Sequence, residues 1–211
     1  MELKNVKTGD SLRIDVQTGA SLIELHLSDL SLIDLPGSST HPLVSNPYHP
    51  SALLTPWVNR VRNGNYSFKG KNYQLPINEP TLGNAIHGLL ARKPFEIILE
   101  ASKATLTHHY HAEEKAYPFP FEMKLTYSFS ADNSFQLQFQ AKNTGSGNLP
   151  FACGWHPYFN LTEGSLADWS ICFDSMSKFL SDSQMIPLRE EKDDASAGVD
   201  LGKEILDNVR S

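Results

Sequence analysis

An antiparallel β-sandwich is the fold class this sequence predicts, and three observations predict it. Apolar and polar residues alternate along many short runs, as they do in strands with one buried face. Turn-forming residues separate those runs, the pattern of sandwiches and barrels. No segment holds a helical period over three turns. The chain has 211 residues, 40% hydrophobic and 20% charged. That is enough to bury a substantial core, and with no repeat or low-complexity tract, residues 1–211 are read as a single β-sandwich domain.

The clearest strand is residues 121–129. Phe121, Met123, Leu125, Tyr127 and Phe129 face one way, while Glu122, Lys124, Thr126 and Ser128 face the other. After the turn-like Ala131-Asp132-Asn133, Phe135, Leu137, Phe139 and Ala141 repeat the pattern against Gln136, Gln138 and Gln140. The two runs are expected to form an antiparallel hairpin over a shared core. Weaker strand signals cover 12–16, 22–27, 30–35, 66–68, 73–75, 95–100, 105–110, 149–153 and 169–173, and Lys69-Gly70-Lys71-Asn72 reads as a hairpin turn. Two stretches read as loops. Residues 36–51 hold four prolines, and a loop of that length is often a functional rim. Residues 181–200 contain Glu190-Glu191-Lys192-Asp193-Asp194 and read as a solvated acidic excursion.

A formal net charge of −6, a pI near 5.7 and the lack of a basic block argue against nucleic-acid and anionic-membrane partners. Cys153 and Cys172 make no disulfide framework in a chain of this length. No signal peptide or membrane-length apolar run is read, so the expected compartment is the cytoplasm. Asn65-Tyr66-Ser67 and Asn160-Leu161-Thr162 match the glycosylation sequon, which without a secretion signal is read as chance.

Four constellations offer chemistry. In Gly154-Trp155-His156-Pro157-Tyr158-Phe159, the proline keeps the His156 backbone extended and ends or edges its strand. Aromatic neighbours put its imidazole where it can titrate near neutrality; the alternative is a histidine packed in a hydrophobic turn. In Trp57-Val58-Asn59-Arg60, Asn59 supplies a donor and an acceptor and Arg60 a forked donor, suited to adjacent sugar hydroxyls, with Trp57 as a stacking surface. A surface arginine beside a turn fits the same residues. His87 stands beside Gly88 in a loop, where a ligand can approach closely, although most loop histidines are unremarkable. In His108-His109-Tyr110-His111, His109 and His111 share a strand face, but no complete ligand set accompanies them, so no metal site is assigned.

Taken together, Asn59-Arg60-Val61-Arg62-Asn63-Gly64, Tyr73-Gln74-Leu75-Pro76-Ile77-Asn78, Asn84-Ala85-Ile86-His87-Gly88, Tyr117-Pro118-Phe119-Pro120-Phe121 and Gly154–Leu161 resemble motifs of the aldose 1-epimerase (galactose mutarotase-like) family. They occur in that family's order and at about its spacing. Thr18-Gly19-Ala20-Ser21-Leu22 is similar to its first hairpin. Each motif alone is weak; five in register over most of the chain are specific.

The resemblance implies a β-supersandwich and an isomerase that interconverts the α and β anomers of hexoses such as galactose or glucose. No cofactor or metal is implied. The partner is a small sugar, and the expected state is a monomer or homodimer. By the resemblance, His156 matches the general acid for the ring oxygen and His87 the second catalytic histidine. Asn59, Arg60 and Asp207 match substrate-binding positions. The family's general base is a glutamate near its carboxyl terminus, and neither Glu163 nor Glu204 falls at its place. The base and the last strands are therefore expected beyond residue 211, which leaves exposed edges. A shortened chain, completion by another polypeptide and a non-catalytic carbohydrate-binding or sensing relative all accommodate that deficit; shortening is favoured because the acid-side residues are intact. A hexose-phosphate 1-epimerase is the related alternative, with Arg62, Arg92 and Lys93 as cationic candidates.

Overall fold

A computed structural model of the chain describes residues 1–35, 48–130, 134–160, 164–172, 177–192 and 198–201, and the backbone of 209–210. Two four-stranded antiparallel sheets dominate it. The first runs in chain order through β1 (Glu2–Lys4), β2 (Ser11–Asp15), β3 (Ser21–Leu27) and β4 (Leu30–Asp34). The second is β10 (Glu96–Glu100), β11 (Lys103–Tyr110), β12 (Phe121–Phe129) and β13 (Phe135–Asn143), also in order. Between them come the short β5 (Ala52–Leu54), β6 (Arg60–Val61), β7 (Asn65–Phe68), β8 (Lys71–Gln74) and β9 (Ala85–Ile86).

β12 shows why the pattern folds as it does. Its alternation is complete: every second residue from Phe121 to Phe129 is buried. It pairs with β13 in the register Leu125↔Phe139 and Tyr127↔Leu137. The buried faces of the two sheets meet in one core, Leu12, Ile14, Leu22, Leu25 and Ile33 against Leu106, Met123, Leu125 and Tyr127. The Tyr127 hydroxyl, fully buried, donates 2.7 Å to the Ala20 carbonyl of the first sheet's β2–β3 turn. One hydrogen bond thus satisfies the tyrosine's polar end and ties the layers together. The expected antiparallel β-sandwich is the observed architecture. The turn after β7 is tight, with Lys69 and Gly70 both at positive φ, as a two-residue hairpin requires.

Two expectations are corrected. Residues 149–153 are irregular, and the strand lies just beyond, as β14 (Gly154–His156). Leu149 and Phe151 do pack on the core, which explains the apolar signal. Pro150, however, has no N–H for a ladder, and Ala152 makes isolated bonds rather than a ladder, its N–H donating to the Pro56 carbonyl and its carbonyl accepting from the Thr55 hydroxyl. The acidic 181–200 region is not a plain loop. It contains β17 (Pro187–Lys192), paired with β16 (Ser177–Ser181), and β18 (Val199–Asp200), paired with β15 (Ser170–Ile171). The β17 side chains are almost all exposed, so its charges report solvation rather than conformation. β16 also pairs with β19 (Val209–Arg210). Of the proline-rich 36–51 stretch, 36–47 lies outside the described residues. Among the described residues there is no α-helix, only short 3-10 turns at Arg62–Gly64, Leu90–Arg92 and Leu166–Asp168. No helix among them is long and apolar enough to cross a membrane.

Candidate active site

β5 and the residues after it organise the site. On one side β14 pairs with β5, His156 opposite Ala52, and the His156 carbonyl accepts the Ser51 N–H at 2.8 Å. β14 ends at His156, directly before Pro157, as the missing proline N–H dictates. On the other side the Thr55 carbonyl accepts the N–H groups of Leu89 and Leu90 at 2.7 and 3.3 Å. Gly88 lies flat against Thr55: a Cβ there would sit 2.0 Å from the Thr55 oxygen, and its φ is +76°. The glycine beside His87 therefore serves close backbone packing, not the ligand approach expected of it. The His87 N–H donates 3.1 Å to the Asn59 carbonyl, and β6 pairs with β9, Arg60 opposite Ile86. Three distant segments bring Asn59, Arg60, His87 and His156 together.

The His87 and His156 rings meet edge to face, centroids 5.5 Å apart. A third imidazole, His49, packs on His87 at 5.0 Å. Tyr158 stacks on His156 at 5.4 Å and donates its hydroxyl to the Tyr48 carbonyl. The Nδ1 atoms of His87 and His156 are both buried without a hydrogen-bond partner among the described residues, a cost that a bound polar ligand would remove. His87 faces a cavity of about 360 Å³, shared with His49, Trp57, Asn78, Arg92 and Glu114. Burial, then the positive charge available to His49, His156 and Arg60, pushes the His87 pKa down to about 3. His87 is thus a neutral imidazole at physiological pH. Burial and the Arg92 and His156 charges also lower His49, against the opposing pull of Glu79. His49, Asn59 and His87 all have positive φ, at 49°, 60° and 62°. Such left-handed backbone is unfavourable for non-glycine residues and clusters at functional sites.

Arg60 is held by a carboxylate the sequence reading did not single out. Glu79 accepts from Arg60 Nε at 3.0 and 2.9 Å and from Nη2 at 2.8 Å, with both side chains under 20% exposed. Asn84, fully buried, donates to Glu79 at 3.1 Å and to the Gln184 carbonyl at 2.9 Å. Arg60 Nη1 donates to Asn59 Oδ1 at 3.3 Å. Much of the guanidinium fork is therefore engaged within the protein, leaving only part of its five N–H groups for a ligand. Trp57 lines the cavity. Asp207, Glu163 and Glu204 lie outside the described residues. Arg62 points away, to Asp182 and Gln184. His109 and His111 stack at 6.2 Å, and among the described residues no group of three or more His, Cys, Asp or Glu is placed to hold a metal ion. His49 and Glu79 carried no motif signal; each gains meaning only once β5 and the β6–β9 pair are formed.

The architecture is that of the galactose mutarotase-like proteins. It overlays the GalM/aldose epimerase homologue of C. elegans with a TM-score of 0.78 at 19% identity, covering 95% of this chain and 65% of that one. It overlays the galactose 1-epimerase of Lactobacillus acidophilus NCFM with a TM-score of 0.76 at 19% identity, covering 95% and 62%. The sequence model of the aldose 1-epimerase family matches residues 8–210, and the chain belongs to that family. The uncharacterized protein YihR of Escherichia coli K12 is 35% identical over 161 residues, 75% of this chain and 51% of that protein. The chain thus spans about half the length of this curated relative.

Proposed function

We propose that this site interconverts the α and β anomers of an aldose, a hexose such as galactose or glucose, by acid–base opening and closing of the ring. The observation behind the proposal is the pair of facing histidines, each with a buried Nδ1 that has no partner among the described residues. In this reading His156 protonates the ring oxygen as the C1–O bond breaks. His87, held neutral by burial and neighbouring positive charge, hydrogen-bonds beside that oxygen without competing for the proton. Asn59, Arg60 and Asp207 hold sugar hydroxyls, Arg60 through the donors that Glu79 leaves open. A base removes the anomeric hydroxyl proton, the aldehyde end rotates, and the ring closes on the other face. The reaction moves protons and one C–O bond, and positioned acid–base groups contribute on the order of 10²–10⁴-fold.

Glu79 is committed to Arg60, so in this reading another carboxylate serves as the base. A second reading, sugar binding without turnover, draws support from that same commitment of Glu79. Polarimetry of freshly dissolved α-galactose and α-glucose separates the two. A mutarotation rate above buffer supports anomer interconversion. A buffer-level rate with sugar-dependent NMR shifts leaves binding alone, and a buffer-level rate without shifts removes both.

A further inference from the structure

The turn that joins β16 to β17, residues 182–186, is closed by its own first residue. Asp182 Oδ1 accepts the N–H groups of Gln184 and Ile186 at 2.9 and 3.0 Å, and its backbone N–H and carbonyl bond to Ile186 and Met185. From this turn the half-buried Gln184 reaches two segments that carry the site. Its Oε1 accepts from Arg62 Nη1 at 2.8 Å, while its Nε2 donates to Asn63 Oδ1 at 3.2 Å and to the Leu82 carbonyl at 3.0 Å. The amide oxygen and both amide hydrogens are thus in use. Residues 62–63 follow β6 and residues 82–84 precede β9, so Gln184 bridges one end of the strand pair that bears Arg60 and leads to His87. Arg62 Nη2 adds a bond to Asp182 Oδ2 at 2.6 Å. That ion pair is partly exposed and stabilises little by itself; what it does is fix the turn in place.

The contact continues inward through the Gln184 carbonyl. It accepts from Asn84 Nδ2 at 2.9 Å, and the same amide nitrogen donates to Glu79 Oε2 at 3.1 Å. Asn84 is fully buried, and its Oδ1 has no partner among the described residues. The two N–H bonds alone therefore orient the amide. The backbone repeats the link: the Glu79 carbonyl accepts from Gly83 and Asn84 at 2.9 and 3.2 Å, and the Glu79 N–H donates to the Asn84 carbonyl at 3.1 Å. Glu79 in turn grips Arg60 with both carboxylate oxygens. An unbroken line of bonds runs from Gln184 through Asn84 and Glu79 to Arg60.

We propose that Gln184 and Arg62 are positioning residues for the sugar site, holding Arg60 in its binding orientation through Asn84 and Glu79. The inference deepens the anomer-interconversion reading and rests on its use of Arg60 as a hydroxyl ligand. A carboxylate bound across one edge of a guanidinium fixes the plane and direction of the whole fork. A small displacement of Glu79 therefore redirects the donors that Arg60 offers to a ligand. Nη1 is the group at stake, because its bond to Asn59 Oδ1 is long, at 3.3 Å, and a sugar hydroxyl can share it. The acidic region after residue 180 thereby gains a role that its charge does not show: its turn supports the binding arginine.

The test compares the full chain with Gln184→Ala, Gln184→Glu and Arg62→Gln, and with Arg189→Gln as a control on the same hairpin, where the ion pair to Glu191 is exposed. Each is titrated with galactose by NMR, and the Arg60 Nε–H resonance and the melting temperature are recorded. Gln184→Ala is expected to shift or broaden the Arg60 resonance and to weaken galactose about five-fold, with little change in melting temperature. Arg62→Gln should act in the same direction. Gln184→Glu keeps the acceptor for Arg62 but loses both amide hydrogens, so it gives a smaller change of the same kind and decides the matter if Gln184→Ala does not fold. Arg189→Gln should match the wild type in all three measurements. An unchanged Arg60 resonance in both Gln184 variants would overturn the inference, and so would an equal loss of affinity in Arg189→Gln. No effect of Arg62→Gln would remove Arg62 from the assignment. A wild type that binds no galactose would remove the sugar reading, and the Arg60 resonance would still show whether Gln184 holds that arginine.

Discussion

The sandwich core and the cleft beside it are built on opposite terms. In the core, β12 and its neighbours bury apolar side chains in regular alternation, and the few polar ends are paired, as Tyr127 is with Ala20. In the cleft, residues 48–93 and 150–160 make short strands of two to four residues, with left-handed backbone at His49, Asn59 and His87 and buried ring nitrogens that have no partner among the described residues. The core minimises free energy locally; the cleft retains local penalties that the surrounding hydrogen bonds enforce. The difference teaches where to look for ligand chemistry: at the groups whose needs the fold leaves unmet.

Substitutions should separate the two regions. Leu125→Ala empties a fully buried position shared by both sheets and is expected to cost about 3–4 kcal/mol. In denaturant melts the loss should appear with sugar affinity per folded molecule unchanged. Gly88→Ala forces a methyl into the Thr55 carbonyl at positive φ, at about 3 kcal/mol. It should also displace His87, so affinity falls together with stability. Affinity preserved in Gly88→Ala would break the proposed dependence of the site on the Thr55 contact. Glu79→Gln leaves Arg60 without its counter-charge in a mostly buried setting. A loss of about 2 kcal/mol is expected, below the 3–5 of a fully buried pair, and it should be visible as a lower urea midpoint.

Taken per pH unit, the smallest effect is in pH. His87 is lowered from 6.5 to about 3 in the folded chain. Between those values the unfolded chain binds the extra proton, so stability is full above pH 6.5 and falls as pH drops through this window. The slope from this group is at most about 1.4 kcal/mol per pH unit. His87→Asn should flatten that part of the acid limb in pH-dependent melts, and an unchanged limb would show that His87 is not held neutral.

The same division sets what the sequence could tell. Alternation at residues 121–129 and 135–141 reports the core because burial there follows strand period, and the structure returns that hairpin in register. Residues 149–153 misled because Leu149 and Phe151 are apolar for packing reasons while Pro150 removes the ladder. Residues 187–192 misled in the other direction, since an exposed strand needs no apolar face. In the cleft, Asn59, Arg60, His87 and His156 were legible through motif order. Glu79 and His49 were not, because their partners lie 19 and 38 residues away and meet them only across β5, β6 and β9. Pairings between short strands leave no periodic trace in sequence.

The central claim is that His156 and His87 form one proton-handling site for a sugar ring. It is tested most directly by magnetisation exchange between the α and β anomeric protons of galactose, with the wild-type chain and with His156→Ala. In a protein that carries its carboxylate base, the account expects exchange faster than buffer for the wild type and buffer-level exchange for His156→Ala, with both proteins equally folded by circular dichroism. Equal exchange for wild type and buffer, or undiminished exchange in His156→Ala, would contradict it.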